Sequence, residues 1–219
     1  MRRTLMLWLA ICVLACNVDR NADGTFTIAC LGDSNTEDGW PTGTEQRWCA
    51  ILPSLLPSIG ASSGGTFQTL PTAVENHGQR SASIFAVPIF LNGMPYQLAA
   101  MSGVVDAVVA AFGTNDSNSY ATWTPAQAVA ALQQTDSDLK ARGIQLWVAT
   151  APPSTLGDAQ QNWQADFNAR VQATFCRWVD FTSGFAGYLE TDGIHLTPAG
   201  QQLRAQRVKD ALTYKDCNG

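Results

Sequence analysis

The 219-residue chain is poor in charged side chains and has no cluster of Lys and Arg after its third residue. Charged residues make up 14% of the sequence, and the formal net charge at pH 7 is -5. A nucleic-acid-binding surface needs clustered positive charge to neutralise phosphates, so the composition argues against such a partner. With 46% hydrophobic residues, the chain is instead expected to form a folded globular domain.

Metal-binding patterns are missing as well. The sequence contains no CxxC motif and no cluster of Cys with His, and it has two histidines in total. Structural zinc sites need four such ligands at short spacings. We therefore expect neither a bound metal nor a cofactor.

The apolar run near the start is too short to cross a membrane and has instead the pattern of an export signal. Arg2 and Arg3 form a basic start, and Leu5 to Ala15 are mostly apolar. This run has about 11 residues, whereas a membrane-spanning helix needs roughly 20. Residues 1–15 are therefore predicted to be a signal peptide.

Two outcomes of export remain open. The segment VLAC (13–16) resembles the lipobox of bacterial lipoproteins, in which Cys16 is lipidated after cleavage before it. Plain secretion is the alternative. The protein is thus expected to be secreted, periplasmic or an outer-membrane lipoprotein attached to the membrane through Cys16. Residues 16–24 are predicted to be a short linker to the folded domain.

Strand and helix signals alternate along the rest of the chain, without an internal repeat. In the clearest helix Thr124 is the N-cap, Pro125 takes the first position and Gly143 ends the pattern. Such alternation implies parallel strands joined by right-handed crossovers, and hence a three-layer α/β/α sandwich. The predicted strands are 25–31, 66–76 (weaker because of Pro71), 104–112, 144–150 and 178–181, and the predicted helices are 43–56, 124–143, 159–175 and 197–215.

The cysteines of the folded domain are even in number, which in an oxidising compartment suggests two disulfides. They are Cys30, Cys49, Cys176 and Cys217, and three pairings are compatible with the sequence. Cys30 and Cys49 belong to one strand–helix unit near the top of the predicted sheet, whereas the other two lie near its bottom. These positions favour the pairings 30–49 and 176–217.

Residues that could take part in catalysis follow several of the predicted strands. Ser34 follows the first strand, residues 76–78 the second and 113–116 the third, and Asp192 and His195 precede the final helix. Ligands of parallel α/β sheets bind at the carboxyl ends of the strands, so these residues are expected to share one rim. Taken singly, each also has a structural explanation, such as helix capping by Ser34.

The spacing of Asp192 and His195 favours the catalytic interpretation. The two residues are three positions apart on a loop, so the Asp192 carboxylate can bond the Nδ1–H of the His195 imidazole and leave Nε2 facing a serine. Ser34, at the same rim, then has a base, and the base has a group that orients it. This combination is typical of an activated nucleophile.

Four motifs, GDSN (32–35), NHG (76–78), GTND (113–116) and DGIHLT (192–197), together resemble the motif blocks of the SGNH (GDSL-type) hydrolase family. The resemblance implies that residues 25–216 form a flavodoxin-like sandwich of about five parallel strands that hydrolyses esters.

Carried over by position, the resemblance gives each motif residue a role. Ser34 is the nucleophile, His195 the base and Asp192 the acid of a catalytic triad. Ser34, Gly78 and Asn115 are the donors of an oxyanion hole.

The chain departs from the family pattern at two positions. Asn35 stands where the family name implies Leu, and we interpret this change as having no effect on the chemistry. Ser81 stands at the second glycine of the usual N-x-G-x-x-G pattern, which we interpret as a changed loop that keeps its donor. A GxSxG elbow is absent because Thr36 lies two residues after Ser34, and this disfavours the α/β-hydrolase fold.

Loop aromatics near the same rim are candidates for the substrate pocket. Trp40, Tyr120, Trp123 and Tyr188 would stack on a sugar or aryl group or line an acyl pocket, and covering core edges is the alternative for each. His77 would line the pocket or lie on a surface loop.

The expected activity is that of an exported serine esterase acting on short-chain acyl, acetyl or aryl esters, either small molecules or esters linked to a polysaccharide. Carbohydrate acetylesterase activity is the alternative, and thioester or lysophospholipid hydrolysis is within what the family does. The alternative that is not an enzyme is a binding lipoprotein with the same fold.

Overall fold

The computed structural model describes residues 17–37, 47–85, 92–119 and 121–214. Within these ranges one mixed sheet of seven strands has the order β1-β3-β4-β2-β5-β6-β7. The strands are β1 (Val18–Asp19), β2 (Phe26–Gly32), β3 (Ser58–Ser63), β4 (Thr66–Asn76), β5 (Ala107–Ala111), β6 (Gln145–Ala149) and β7 (Trp178–Val179).

Five neighbouring strands of the described sheet are parallel to one another, in the spatial order β4-β2-β5-β6-β7. Numbered along the chain, they lie in the order 2-1-3-4-5, which is that of flavodoxin-like folds. The predicted sandwich with about five parallel strands is therefore confirmed.

Helices cover both faces of the sheet. One core cluster joins α1 (Trp48–Leu55) and α6 (Pro198–Tyr214) to one face. The other cluster joins α2 (Met94–Ala100), α4 (Pro125–Ala141) and α5 (Asp158–Thr174) to the opposite face. The short α3 (Thr114–Asn118) and a 3₁₀ helix (Ala186–Tyr188) lie at strand ends and loops.

The central strand β2 shows why the sheet needs both helical layers. All seven of its residues are buried. Phe26, Ile28 and Cys30 pack in the cluster with α1 and α6, whereas Ala29 and Leu31 pack in the cluster with α2, α4 and α5. A strand that is covered on both faces has no polar side, which explains its nearly continuous apolar sequence.

The start of α4 forms as its sequence predicts. Thr124 Oγ1 accepts a hydrogen bond from Gln127 N at 3.3 Å, and Gln127 Oε1 accepts one from Thr124 N at 2.9 Å. This reciprocal capping satisfies donors that the first turn of a helix leaves open. Gly143 follows the helix with φ +74°, a left-handed conformation that favours glycine.

The β3–β4 region differs from the sequence prediction. β3 was not predicted, and it pairs with β4 in antiparallel register from Ser58↔Pro71 to Ser63↔Thr66. Pro71 does not shorten β4, because pairing with β2 begins one residue later, at Phe26↔Thr72. Proline is tolerated at such a point because its missing N–H is not needed for a ladder bond. The helices α2 and α3 were not predicted either.

Part of the predicted linker is paired with the sheet. Val18 and Asp19 form β1, which is parallel to β3. Asp19 is buried, and its Oδ2 accepts hydrogen bonds from Ser63 Oγ at 2.7 Å and Gly24 N at 3.0 Å. The predicted signal peptide, Cys16 and residues 43–46 of the predicted first helix lie outside the described residues.

A disulfide joins Cys30 of β2 to Cys49 of α1, with a Cα–Cα distance of 6.1 Å. The predicted 30–49 pairing is thus confirmed. Cys176 is also disulfide-bonded. Its predicted partner Cys217 lies outside the described residues, so the 176–217 pairing stays a prediction.

Candidate active site

Ser34 lies in a tight turn directly after β2. Thr36 N and Glu37 N donate to Asp33 O at 2.8 and 3.0 Å, and Asn35 N donates to Asp33 Oδ1 at 2.9 Å. These bonds hold residues 33–37 in one turn at the carboxyl end of the strand. Ser34 therefore lies at the rim where α/β sheets bind their ligands.

The residue before this turn is held by a side chain that the sequence did not reveal. The buried amide of Gln97, on α2, accepts a hydrogen bond from Gly32 N and donates one to Gly32 O, both at 2.8 Å. A Cβ on Gly32 would lie 2.7 Å from Ala111 O, so the strand end admits only glycine. Gln97 thus fixes the base of the Ser34 turn against α2.

Ser34, His195 and Asp192 form a continuous chain of contacts. Ser34 Oγ lies 2.9 Å from His195 Nε2, and His195 Nδ1 lies 2.5 Å from Asp192 Oδ2. The serine and the histidine are 161 residues apart in the sequence. With Nδ1 facing a carboxylate, the ring is favoured in the tautomer whose Nε2 accepts a proton from the serine.

Asp192 also organises the loop that carries His195. Its Oδ1 accepts hydrogen bonds from Ile194 N and His195 N, both at 2.9 Å. Burial raises the pKa of this carboxyl, but the bonds from the His195 side chain and the two backbone N–H groups outweigh burial, so the pKa of Asp192 is lowered from its ordinary value of 3.8. The carboxylate is therefore ionised at neutral pH.

Asn115 lies in the first turn of α3, beside the loop that follows β4. Gly113, the N-cap of this helix, has φ +117°. Asn115 Nδ2 donates to Ala82 O at 3.0 Å. Because an amide nitrogen carries two hydrogens, one remains, and no acceptor for it occurs among the described residues. The backbone N–H of Ser34 likewise has no acceptor among the described residues.

Asp116 joins the two loops that flank Asn115. Its Oδ1 accepts from Ile84 N at 2.9 Å and its Oδ2 from Gly113 N at 3.1 Å. Burial raises the pKa of Asp116 to about 7; its backbone hydrogen bonds oppose this rise, and the nearby Asp33 charge adds to it. The side chain is buried, and its role is to hold the loops together.

Gly78 is placed differently from the expected oxyanion donor. Its N–H donates to Asn76 Oδ1 at 3.0 Å. A Cβ at this position would lie 2.5 Å from Glu37 N and 2.6 Å from Thr36 C. Glycine is thus required here because the backbone packs against the Ser34 turn.

Ser81 lies in the neighbouring turn with φ +59°, a left-handed conformation that glycine adopts without strain. Ala82 N donates to Gln79 O at 3.1 Å, which closes this turn. The N–H of Ser81 has no acceptor among the described residues. Ser81 thus has, at the position of the second glycine of the family pattern, a conformation that glycine adopts more readily.

A buried cation lies beneath the Ser34 turn. Arg204 of α6 is buried, its Nη1 donates to Asn35 O at 3.4 Å, and its guanidinium carbon lies 4.7 Å from the centre of the Phe181 ring. Burial raises the pKa of Asp33, and the positive charge of Arg204 is the strongest of the interactions that oppose this rise. The spacing of Arg204 with Val208 and Leu212, both buried on α6, is the sequence signal that could have revealed it.

The candidate pocket residues are only partly brought together. The Trp123 ring stacks on Phe85 with centroids 4.1 Å apart, and Phe85 directly follows Ile84, whose N–H donates to Asp116. Tyr188 is 37% exposed and packs beside Gly200. His77 Nε2 contacts Glu75 Oε2 at 2.9 Å. Trp40 and Tyr120 lie outside the described residues.

The described part of the chain contains neither a metal-binding cluster nor a membrane-spanning helix. Residues 17–37, 47–85, 92–119 and 121–214 hold no group of His, Cys, Asp or Glu arranged to bind a metal ion. None of the helices within them has the length and apolar character that a membrane crossing requires.

Comparisons with known proteins agree on the family and the fold. The model of the GDSL-like Lipase/Acylhydrolase family matches residues 30–203. Among curated proteins, no relative matches the sequence.

Similar solved structures include an aryl esterase from M. smegmatis, with 20% identity, a TM-score of 0.61, and coverage of 85% of this chain and 100% of that one. A carbohydrate acetylesterase from Sinorhizobium meliloti has 18% identity and a TM-score of 0.62, with 84% and 97% covered. At these identities the likeness shows the fold.

Proposed function

The chain belongs to the GDSL-like lipase/acylhydrolase family, and from this premise we propose that it is a serine esterase that hydrolyses short-chain carboxylic esters. Family membership supports hydrolysis of an ester bond. The observation that carries the proposal is the contact chain from Ser34 Oγ through the His195 ring to Asp192, with distances of 2.9 and 2.5 Å. This geometry supports activation of a serine by a base that is itself oriented by a carboxylate.

The first half of the reaction acylates the serine. His195 Nε2 takes the Ser34 hydroxyl proton as Oγ attacks the ester carbonyl. The imidazolium that forms is stabilised by Asp192. It then gives its proton to the departing alcohol, which leaves an acyl-enzyme on Ser34. In the second half, His195 activates a water molecule that hydrolyses this intermediate.

The oxyanion hole in this proposal differs from the one that the sequence suggested. Ser34 N–H and the second hydrogen of Asn115 Nδ2 are two of its donors. Gly78 N–H is held by Asn76 Oδ1. Ser81 N–H has no acceptor in the described chain and lies next to Ala82, whose carbonyl Asn115 bonds. We therefore assign the third donor to Ser81. Such donors act on charge that develops in the transition state.

The substrate is proposed to have a small acyl group and an aryl or sugar alcohol. Trp123 is 37% exposed and stacks on the partly buried Phe85, and this aromatic surface supports a planar or ring-shaped leaving group, because aromatic faces pack on such rings. An arylesterase and a carbohydrate acetylesterase among the similar folds are consistent with both alcohols. A panel of esters that varies acyl length and alcohol, with acetylated xylan included, distinguishes the two.

Export is part of the proposal. The sequence pattern of residues 1–15 supports it, and so does the Cys30–Cys49 disulfide, because disulfides persist in oxidising compartments. Fractionation of the native host, with mass spectrometry of the mature N-terminus, distinguishes a lipidated Cys16 from plain secretion. Retention in the cytoplasm with residues 1–15 uncleaved would contradict it.

Hydrolysis of p-nitrophenyl acetate by purified protein tests the proposed activity. Wild type is expected to hydrolyse the ester, and Ser34→Ala is expected to lose several orders of magnitude in rate. Ser54→Ala, at an exposed serine of α1, is the matched control and should keep the wild-type rate. Binding without turnover by wild type, or an equal rate in Ser34→Ala, would favour a non-catalytic binding protein.

A further inference from the structure

Asn35, the residue after Ser34, bonds the backbone on both sides of His195. Its Nδ2 donates to Ile194 O at 3.3 Å, and its Oδ1 accepts from Leu196 N at 3.1 Å. The side chain is fully buried. Burying an amide side chain without hydrogen-bond partners costs about 1–3 kcal/mol. Asparagine is tolerated at this buried position because Ile194 O and Leu196 N supply those partners.

The same backbone segment is bonded from its other side. Ile194 N and His195 N donate to Asp192 Oδ1, and His195 O accepts from Glu190 N at 2.7 Å. These bonds shape the loop internally. The two bonds of Asn35 differ, because they join the loop to the turn that carries Ser34.

Asn35 is itself held in place. Its N–H donates to Asp33 Oδ1 at 2.9 Å, and its carbonyl oxygen accepts from Arg204 Nη1 at 3.4 Å. Its side chain therefore extends from a fixed backbone. A leucine at this position would occupy a similar volume but would offer neither bond.

The contact between Ser34 Oγ and His195 Nε2 cannot by itself keep the two segments together during catalysis. When the serine carries an acyl group, its hydroxyl proton is gone and this hydrogen bond is broken. The bonds of Asn35 involve no reacting atom, so they persist through the cycle.

We propose that Asn35 is a positioning residue, which keeps the backbone of His195 at a constant distance from Ser34 while their hydrogen bond breaks and re-forms. The proposal rests on the proposed esterase function. It replaces the interpretation from sequence that residue 35 has no bearing on the chemistry.

Asn35→Leu tests this role, with Asn168→Leu as the matched control. The Asn168 amide makes the same pair of bonds to a backbone elsewhere, accepting from Ala151 N at 2.7 Å and donating to Ala151 O at 3.0 Å. Both substitutions remove a buried amide that bonds the main chain. Steady-state kinetics, the thermal midpoint and hydrogen exchange of the Leu196 amide are measured for both variants.

Asn35→Leu is expected to lower kcat by about 10- to 100-fold, with KM within twofold, because a base displaced by a fraction of an ångström loses its alignment. Its Leu196 amide should exchange faster. Asn168→Leu should lower the thermal midpoint but keep kcat within twofold and leave the exchange of Leu196 unchanged. Asn35→Asp keeps the acceptor for Leu196 N but places an acceptor oxygen against Ile194 O, so it should lower kcat as well.

A kcat within twofold of wild type in Asn35→Leu, or an equal loss in Asn168→Leu, would overturn the proposal. If Asn35→Leu does not fold, Asn35→Asp is compared with Asn168→Leu by the same criteria. Failure of the proposed function is distinguishable, because wild type would then hydrolyse no ester while the exchange of Leu196 still reports whether Asn35 holds the loop.

Discussion

Asp192 bonds His195 through both oxygens of its carboxylate. Oδ2 faces the imidazole Nδ1 at 2.5 Å, and Oδ1 accepts the backbone N–H of the same residue at 2.9 Å. One carboxylate thus sets the orientation of the ring and the conformation of the loop that carries it. This double contact requires two acceptor oxygens, and an amide has one.

Asp192→Asn should therefore reduce turnover strongly. An amide nitrogen facing Nδ1 favours the wrong tautomer of the ring, and we expect kcat to fall by about 10²–10⁴ with KM within threefold. Steady-state hydrolysis of p-nitrophenyl acetate measures both constants. Asp166→Asn, which removes an exposed carboxylate paired with Arg170, is the control and should match wild type. A kcat loss below tenfold would argue against the assigned role of Asp192.

Asn115→Ala should reduce kcat by about 10²–10³, because it removes a donor that acts on the transition-state oxyanion. It also removes the bond to Ala82 O, so the thermal midpoint is measured beside the kinetics. Asn118→Ala, at an exposed position of the same helix, is the control. An unchanged kcat in Asn115→Ala would exclude the side chain from the oxyanion hole.

Gly78→Ala should destabilise the protein and lower its activity together. The new methyl group would meet Glu37 N at 2.5 Å and Thr36 C at 2.6 Å, and both are backbone atoms of the Ser34 turn. We expect a loss of about 1–3 kcal/mol in the free energy of unfolding, as for other overpacked sites. Gly103→Ala has open space around its Cβ and serves as the control in denaturant unfolding. Equal stability of the two variants would show that the turn moves without cost.

The double variant Cys30→Ala with Cys49→Ala should lower the free energy of unfolding by about 3 kcal/mol, because the disulfide closes a loop of 19 residues that contains Ser34. Denaturant unfolding without reductant measures this loss. Cys49→Ala alone should lose a similar amount, since removing either cysteine opens the loop. A change below about 0.5 kcal/mol would mean that the disulfide hardly constrains the unfolded chain.

Asp116 should make folding less favourable as the pH rises from 4 to 7. Burial raises its pKa from 3.8 to about 7 in the folded protein, so the folded chain holds a proton that the unfolded chain releases between these values. The free energy of unfolding that this group contributes therefore falls through that window and is constant above it.

Urea unfolding of wild type and Asp116→Asn from pH 4 to pH 8 measures the effect of Asp116. The stability of wild type relative to the variant is expected to decline up to about pH 7. A stability of wild type relative to Asp116→Asn that rises between pH 4 and pH 7 would contradict the raised pKa.

The sequence predicted the parallel core of the fold because its signals are local. The apolar run of β5, the Thr-Pro start of α4 and the alternation of strands with helices each depend on neighbouring residues. The same is true of Asp192 and His195, whose contact spans three positions of one loop. The hairpin of β3 with β4 was missed, since the polar, small residues of β3 carry no clear strand pattern before β4 provides the partner.

The tertiary structure alone determined the contacts between segments that are far apart in the chain. The sequence could not show that Gln97 bonds both backbone groups of Gly32, or that Asn35 bonds the chain on either side of His195. A side-chain amide can donate or accept in many environments, so its identity predicts no partner. The partner is determined by which backbone groups the folded sheet leaves unpaired within its reach.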